Sequence, residues 1–401
     1  MNFIFISPNF PVNYWQFCKE LKNNGVNVLG IGDCPYDELD LNVKENLNEY
    51  YKVDSLENYD DVYRAVAFFT FKYGRIDWLE SNNEYWLEKD AMLRTDFNIN
   101  TGFKTEDMGR IKYKSGMKKY YEQAGIPTAR YHMVDDMESA KAFVKEVGYP
   151  VIVKPDNGVG ASNTFKLHSD EDLQKFFEEL GPVQYIMEEF VDGRICSYDA
   201  IINSKGEPLF ESGNVTLVSI MDTVNNEADS YYYIDKKLRD DIRDAGRRCV
   251  KSFGVKSRFI HLEFFRLLKD QDGLGKKGDI VALEVNMRPS GGFTTDMLNY
   301  ANSVDVYKIW ADMIVYDRVT ENYKGEHFYC PFVGRRDDRR YAHSDWEIIE
   351  KYKVSLCMHV RMPEVLAAAM GNQIYIGKFK TKEAMDGFLK FLLEPETAEN
   401  T

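Results

Sequence analysis

The sequence predicts a protein of mixed α/β and α+β class: a Rossmann-like N-terminal domain, two α+β subdomains, and a small C-terminal α+β segment. Three observations carry that expectation. The first hundred residues alternate short apolar runs with helical stripes, the βαβ pattern. From about residue 104, helices and strands mix and glycines stop each helix. Two long apolar runs, "RFIHLEFFRLL" and "DIVALEVNMR", are joined by the glycine- and lysine-rich "KDQDGLGKKG", as in an antiparallel hairpin with a long loop. A chain of 401 residues also exceeds one ordinary hydrophobic core.

Taken in order, Phe3 to Ile6 read as a buried strand. Tyr14, Phe17, Cys18 and Leu21 then repeat at helical spacing, and "VNVLGI" follows as a second strand. Val62, Ala65, Val66 and Phe69 form another helical stripe before the short strand "IDWLE". The turn after the first strand, "SPNFP", has no glycine, so the dinucleotide fingerprint is missing and Asp33 is not read as a ribose-binding acid. The first domain is expected to end near residue 103 and not to be the nucleotide site.

Residues 104 to 186 read as a small α+β subdomain. Met117, Tyr120, Tyr121 and Ala124 give a helix closed by "GIP", and Ala140, Phe143, Val144 and Val147 give a second. Ser169 and Asp172 make a capping box before Leu173, Phe176, Phe177 and Leu180, and "YIMEEFV" is the strand leaving the subdomain. Residues 187 to 320 hold strands at "SYDAII" and "EPLFES", a polar Tyr-rich loop near 222 to 233, a helix through Leu238, Ile242, Ala245 and Cys249, and the two strong strands. The last part, 321 to 401, mixes short strands with a helix carrying Met385, Phe388, Leu389 and Leu392, and is expected to pack on the large subdomain.

Composition narrows the function. The hydrophobic fraction of 44% and charged fraction of 29% suit a folded globular chain, and a net charge of -14 opposes nonspecific binding to nucleic acid or anionic membranes. Six scattered cysteines without paired Cys/His spacing suggest neither a zinc site nor a disulfide framework. No signal-peptide pattern and no long apolar span is present, so a cytoplasmic protein with reduced thiols is expected.

The chemistry is concentrated in the hairpin. Alternate residues of a strand share a face, so Glu284, Asn286 and Arg288 point together, with Val281, Leu283, Val285 and Met287 directed into a core. His261 and Glu263 share a face of the preceding strand. Folding the hairpin about Gly273 and Leu274 sets Glu263 opposite Glu284, and like charges face to face are destabilising unless a cation lies between them. Magnesium, with carboxylates and an amide oxygen as ligands, meets that need, and Arg288 could hold a phosphate or carboxylate in a bidentate fork. A solvated face with a surface ion pair is the competing reading. His261, inside an apolar run, reads more readily as a packed histidine.

Elsewhere, "YPVIVKPDNGVGAS" is an apolar strand ending in Lys154, followed by a small-residue loop with Gly158, Gly160 and Ser162 able to bring backbone N–H groups against phosphate. Lys114 offers a second cation. Glu84 is a candidate for an acceptor site, and "RRDDRR" at Arg335 to Arg340 reads as a solvated charge run.

In order, "KSGMKKYYEQAGIPTARY", "GYPVIVKPDNGVGAS", "MEEFVDGRICSYD", "HLEFF" and "EVNMRPSGG" resemble the ATP-grasp superfamily, most of all its carboxylate–amine ligase and biotin carboxylase-like branch, over about residues 104 to 300. The resemblance implies an ATP-grasp fold, two α+β subdomains gripping ATP, after the leading α/β domain. It implies that Lys114 and Lys154 bind ATP phosphates, that the loop from Gly158 through Gly160 to Ser162 closes over them, and that Glu188, Glu189, Phe190 and Val191 cup the adenine. Glu263, Glu284 and Asn286 would hold Mg²⁺ or Mn²⁺, and Arg288, with Lys154, would steady the transferred phosphoryl group. The implied activity is ATP-dependent ligation of a small carboxylic acid to an amine through an acyl phosphate. A kinase-like phosphotransferase and a bicarbonate-activating carboxylase-like enzyme are the alternatives, small molecules are the implied partners, and a homodimer is left open. Two departures stand out: Arg194 and Ile195 replace the acids that often hold the ribose, and Tyr113 replaces the Asp that commonly precedes the first lysine.

Overall fold

The computed structural model describes residues 1–158, 163–217 and 229–396. Strands β1 (Asn2–Ile6), β2 (Asn27–Gly32), β3 (Glu49–Lys52) and β4 (Trp78–Glu80) form a parallel sheet in the order β3-β2-β1-β4. Parallel sheets bury both faces, and β1 does so by alternation. Phe3 and Phe5 pack with Phe17 of the helix Trp15–Asn23 and with Trp310, while Ile4 and Ile6 pack with Val62, Val66 and Phe69 of the helix Tyr59–Tyr73. Trp310 comes from the distant helix Val306–Tyr316, and its ring lies 4.9 Å from that of Phe17. The first sheet is therefore held by the rest of the chain.

A second sheet follows, with β5 (Tyr131–Met133), β6 (Val151–Pro155), β7 (Phe165–Leu167) and β8 (Tyr185–Glu189) in the order β5-β8-β6-β7, all antiparallel. The helices Met137–Val147 and Asp170–Glu178 close its core through Phe143, Val144, Leu173 and Phe176. Ser169 caps the second of these by accepting from Asp172 N at 3.2 Å. The helix Lys114–Gln123 departs from the expected grouping. Its Met117 and Tyr121 pack not on this sheet but with Cys249 and Phe253 beside the next one.

The third sheet contains β9 (Gly193–Ile202), β10 (Pro208–Ser212), β11 (Asn214–Thr216), β12 (Ser230–Ile234), β13 (Arg258–Leu267), β14 (Ile280–Asn286), β15 (Cys330–Arg335), β16 (Leu356–Arg361) and β17 (Gln373–Gly377). Its order among the described residues is β14-β13-β9-β11-β12-β15-β17-β16, with β10 on β9. Two expectations need correction here. Tyr231 to Tyr233, read as loop, form β12, because pairing to β15 on one side and β11 on the other overrides the polar appearance of the segment. The strands after residue 321 do not pack on the sheet as a separate segment; they continue it edge to edge.

A third correction concerns β14. The register with β13 slips between Glu263 and Phe264, so Phe264 faces Ala282 and Leu283 is the extra residue of a bulge. Past the bulge the faces exchange. Ala282, not Leu283, joins Val285 and Met287 in the core, Val281 enters a separate cluster with Leu267 and Leu274, and Leu283 is only half-buried.

A buried ionic knot ties the first sheet to the third. Glu80, at the end of β4, receives Arg94 Nη2 at 2.9 Å and lies 2.7 Å from Arg258 Nη2, while Arg258 also donates to Met287 O at 2.8 Å. This sets the loop after β4 against the end of β14.

The helix Asp240–Ser252 lies so close to β9 that a Cβ on Gly246 would stand 2.2 Å from the Tyr198 ring. Overpacking there costs about 1–3 kcal/mol, against a gain of roughly 1 kcal/mol in helix propensity. Gly246→Ala is expected to lower unfolding free energy by up to about 2 kcal/mol, measured by urea denaturation; a stabilised variant would contradict the packing.

Candidate active site

The register of β13 and β14 sets Glu263 opposite Glu284 and His261 opposite Asn286. On the other side of β13, β9 sets Ser197 beside Glu263 and Asp199 beside His261. One sheet face thus presents two facing acids, and the structure brings cations to them. Lys114 Nζ lies 3.3 Å from Glu284 Oε1 and donates to Gly158 O at 3.2 Å. Burial pushes the Glu263 carboxyl up, but His261, Arg288 and Lys154 together hold it below the usual carboxylate range.

Behind the acids runs a buried polar chain. Asn214 N donates to Ser197 Oγ at 2.9 Å, Ser197 Oγ donates to Asp199, Asp199 pairs with His261 Nδ1 at 2.7 Å, and His261 Nε2 pairs with Glu263 Oε1 at 3.0 Å. Burial works against charge on the imidazole, yet Asp199 and Glu263 outweigh it and lift its pKa to about 9. Both ring nitrogens therefore donate at neutral pH. His261 is not merely packed; it fixes the direction of the Glu263 carboxylate.

That leaves Glu263 Oε2 and Glu284 Oε2 without a protein partner among the described residues. No group of three or more His, Cys, Asp or Glu side chains converges there or elsewhere among the described residues. Two carboxylate oxygens with the amide oxygen of Asn286 nearby are instead the sparse hard-oxygen set suited to a small divalent cation that completes its shell with ligand oxygens and water.

Lys154, the last residue but one of β6, gives Glu188 a 2.6 Å ion pair, and Lys118 approaches the same carboxylate from the helix Lys114–Gln123. Burial pushes Glu188 up, but the two ammonium groups overcome it and hold the pKa at about 2. Glu189 accepts from Arg130 N, Nε and Nη2 at 2.7, 3.0 and 2.7 Å. Glu188 pairs with Tyr131 of β5 and Ile152 of β6, and Glu189, the last residue of β8, pairs with Val151 and donates its N–H to Arg130 O at 3.0 Å. Phe190 and Val191 lie just beyond the strand; Phe190 O accepts from Gln271 at 3.1 Å, and Val191 is buried. Gly160 and Ser162 lie outside the described residues.

Arg288 follows β14, donating from Nη2 to Asn286 Oδ1 at 3.1 Å and from Nη1 to Pro289 O at 2.8 Å. Its Nε stands 3.7 Å from Glu84 Oε2. Glu84 comes from the turn after β4, where Lys112 holds its other oxygen at 3.0 Å. Glu84 Oε2, Asn82 Nδ2 and Asn13 Oδ1 are buried without hydrogen-bond partners in this structure. Tyr14 OH donates to Asn82 O at 2.8 Å and joins the turns after β1 and β4. Those neighbouring strands form the topological switch point of the first sheet, outside whose carboxyl ends open α/β sheets bind ligands.

The sequence reading did not pick out Lys118, Asp199, Lys112 or Arg130. Lys118 lies four residues after Lys114 on one helix face, and Asp199 alternates with Ser197; both spacings were available signals. In the "RRDDRR" run, Arg335 is buried in β15 and lies 3.9 Å over the Tyr341 ring, so the run is solvated only in part.

Glu188→Gln leaves two buried ammonium groups without a countercharge, a loss of about 3 kcal/mol or more. A carboxylate held at about 2 stabilises the fold above the unfolded value of 4.5, and that contribution is lost as pH falls through 2. The stability gap between native chain and variant in urea unfolding is therefore expected to be smaller at about pH 3 than at pH 7; an equal gap would contradict the assignment.

Residues 119–301 match the family model of the ATP-grasp domain. An L-arginine-specific L-amino acid ligase of Bacillus subtilis is 25% identical over 316 residues, 76% of this chain and 73% of its own length. Among solved structures, an L-amino acid ligase from Bacillus licheniformis superposes with a TM-score of 0.72 at 14% identity, covering 97% of this chain and 96% of that one. The biotin carboxylase domain of Hydrogenobacter thermophilus 2-oxoglutarate carboxylase, solved with MgADP and bicarbonate, gives 0.68 at 14% identity, covering 97% and 90%. No helix among the described residues is long and apolar enough to cross a membrane. The segment that matches the ATP-grasp domain contains Lys154, Glu188, Glu263, Glu284 and Arg288.

Proposed function

We infer that the chain is an ATP-dependent ligase that activates a small carboxylic acid as an acyl phosphate and joins it to an amine, releasing ADP and phosphate. The observation carrying this reading is the facing pair Glu263 and Glu284, ringed by Lys114, Lys154 and Arg288. Phosphoryl transfer demands positioned cations around spreading negative charge more than it demands a protein nucleophile.

Glu263, Glu284 and Asn286 would hold Mg²⁺ or Mn²⁺, which would neutralise charge on the phosphates. Lys154 spends one of its three donors on Glu188 and keeps the others for phosphate. Lys114 sits between Glu284 and the backbone of Gly158, at the mouth of the glycine loop. Glu188, Glu189, Phe190 and Val191 would cup the adenine, and the side chains of Glu188 and Glu189 are also countercharges for Lys118, Lys154 and Arg130. Arg288 would steady the acyl phosphate. Glu84, with one oxygen held by Lys112 and the other without a hydrogen bond and 3.7 Å from Arg288 Nε, would accept a hydrogen bond from the amine. In this reading the first sheet supplies the acceptor, the β5–β8 sheet the phosphate lysine, and the long sheet the acids.

Mg²⁺-dependent ADP release is expected only when an acid and an amine are both present, followed by coupled ADP assay and mass spectrometry. ADP formation with the acid alone, leaving a stable phosphorylated product, would instead identify a phosphotransferase. His261→Gln is expected to weaken Mn²⁺ binding about tenfold or more, as loss of a partner that orients a metal ligand does. Electron paramagnetic resonance titration without substrates checks this, with Asp199→Asn expected to follow it; unchanged affinity in both would refute the positioning role.

A further inference from the structure

The reverse face of the β9–β13 pair repeats the electrostatic problem with the opposite sign. Arg194 on β9 stands directly across from Arg266 on β13. Like charges in that position are destabilising unless an anion answers them. Asp241 answers Arg266, accepting from its Nη1 at 2.8 Å and Nη2 at 3.0 Å, and it also takes weak contacts from Arg239 at 3.4 Å. Arg194 has no hydrogen-bond or ion-pair partner among the described residues.

These three arginines border a cavity of about 150 Å³. Leu238, Ile242 and Cys196 give it an apolar side, and Asp235 lies at its rim. The helix Asp240–Ser252 begins at this cavity, and its first residue is preceded by Arg239, which makes no side-chain cap. Ser197 and Asn214, which begin the polar chain to Glu263, also line this cavity, while the three arginines and the apolar side chains have no part in the proposed ligase machinery.

The geometry points to a second ligand site here, for the carboxylate of a small aliphatic acid held by Arg194, with its hydrocarbon part against Leu238, Ile242 and Cys196. Charge and size decide the class. Asp241 pairs with Arg266, and Arg194 is the lining guanidinium without a carboxylate partner among the described residues, which suits a monoanion. A cavity of ~150 Å³ holds a ligand of about six heavy atoms, the size of benzene. The planar fork of Arg194 is suited to two carboxylate oxygens.

The test is calorimetric titration of butyrate into the full chain carrying Arg288→Ala, which removes the guanidinium offered to an acyl group at the ligase site. Saturable butyrate binding that weakens about tenfold or more when Arg194→Ala is added supports the site. Arg194 is exposed, so the variant is expected to fold, and circular dichroism melting of each protein verifies it. Absence of saturable binding, or binding that Arg194→Ala leaves unchanged, overturns the proposal. Inorganic phosphate binding more tightly than butyrate in the same background overturns the monoanion assignment.

Discussion

Two carboxylates held face to face across an antiparallel pair are the constraint around which the rest of this molecule is arranged. Left alone, Glu263 and Glu284 would oppose the pairing of β13 with β14. The fold answers with charge from three directions: Lys114 from a helix start, Lys154 from the end of β6, and Arg288 from the end of β14 itself. Each of those cations is in turn held by something else. Lys154 is fixed by Glu188, Glu188 is shared with Lys118, and Arg288 stands between Asn286 and Glu84. The acids supply the reason for the cations, and the cations supply what phosphate chemistry needs.

Rigidity behind the site comes from buried polar groups that are individually costly. Asp199 and His261 are each almost fully buried and are acceptable only because every step from Asn214 N to Glu263 is hydrogen-bonded. The knot of Glu80, Arg94 and Arg258 does the same between sheets, setting the turn that carries Glu84 within reach of Arg288. Isolated burial of such charges would be unfavourable; paired, they specify one arrangement of the first sheet against the third.

Much of this was legible in the sequence for a simple reason: strand alternation and a symmetric hairpin fix which side chains face which. The opposition of Glu263 and Glu284 followed from counting outward from Gly273 and Leu274. What counting could not reveal was the bulge at Leu283, since one extra residue leaves no compositional mark, and so the inward faces of Val281 and Leu283 were misread. The sharing of Glu188 by two lysines was not legible because those partners lie 34 and 70 residues away in sequence. The helix Lys114–Gln123 showed its apolar stripe but not which sheet the stripe would cover. Tyr231 to Tyr233 looked like loop because tyrosine-rich strands buried in a wide sheet share the composition of polar turns.

The central claim is that the two facing acids form a divalent-metal platform. It is tested most directly by crystallising the chain with Mn²⁺ and a non-hydrolysable ATP analogue and recording anomalous scattering at the manganese edge. The account predicts a peak about 2.1 Å from carboxylate oxygens of both Glu263 and Glu284, with phosphate oxygens completing the shell. A peak bound elsewhere, or nucleotide present with no metal between these two residues, would contradict it.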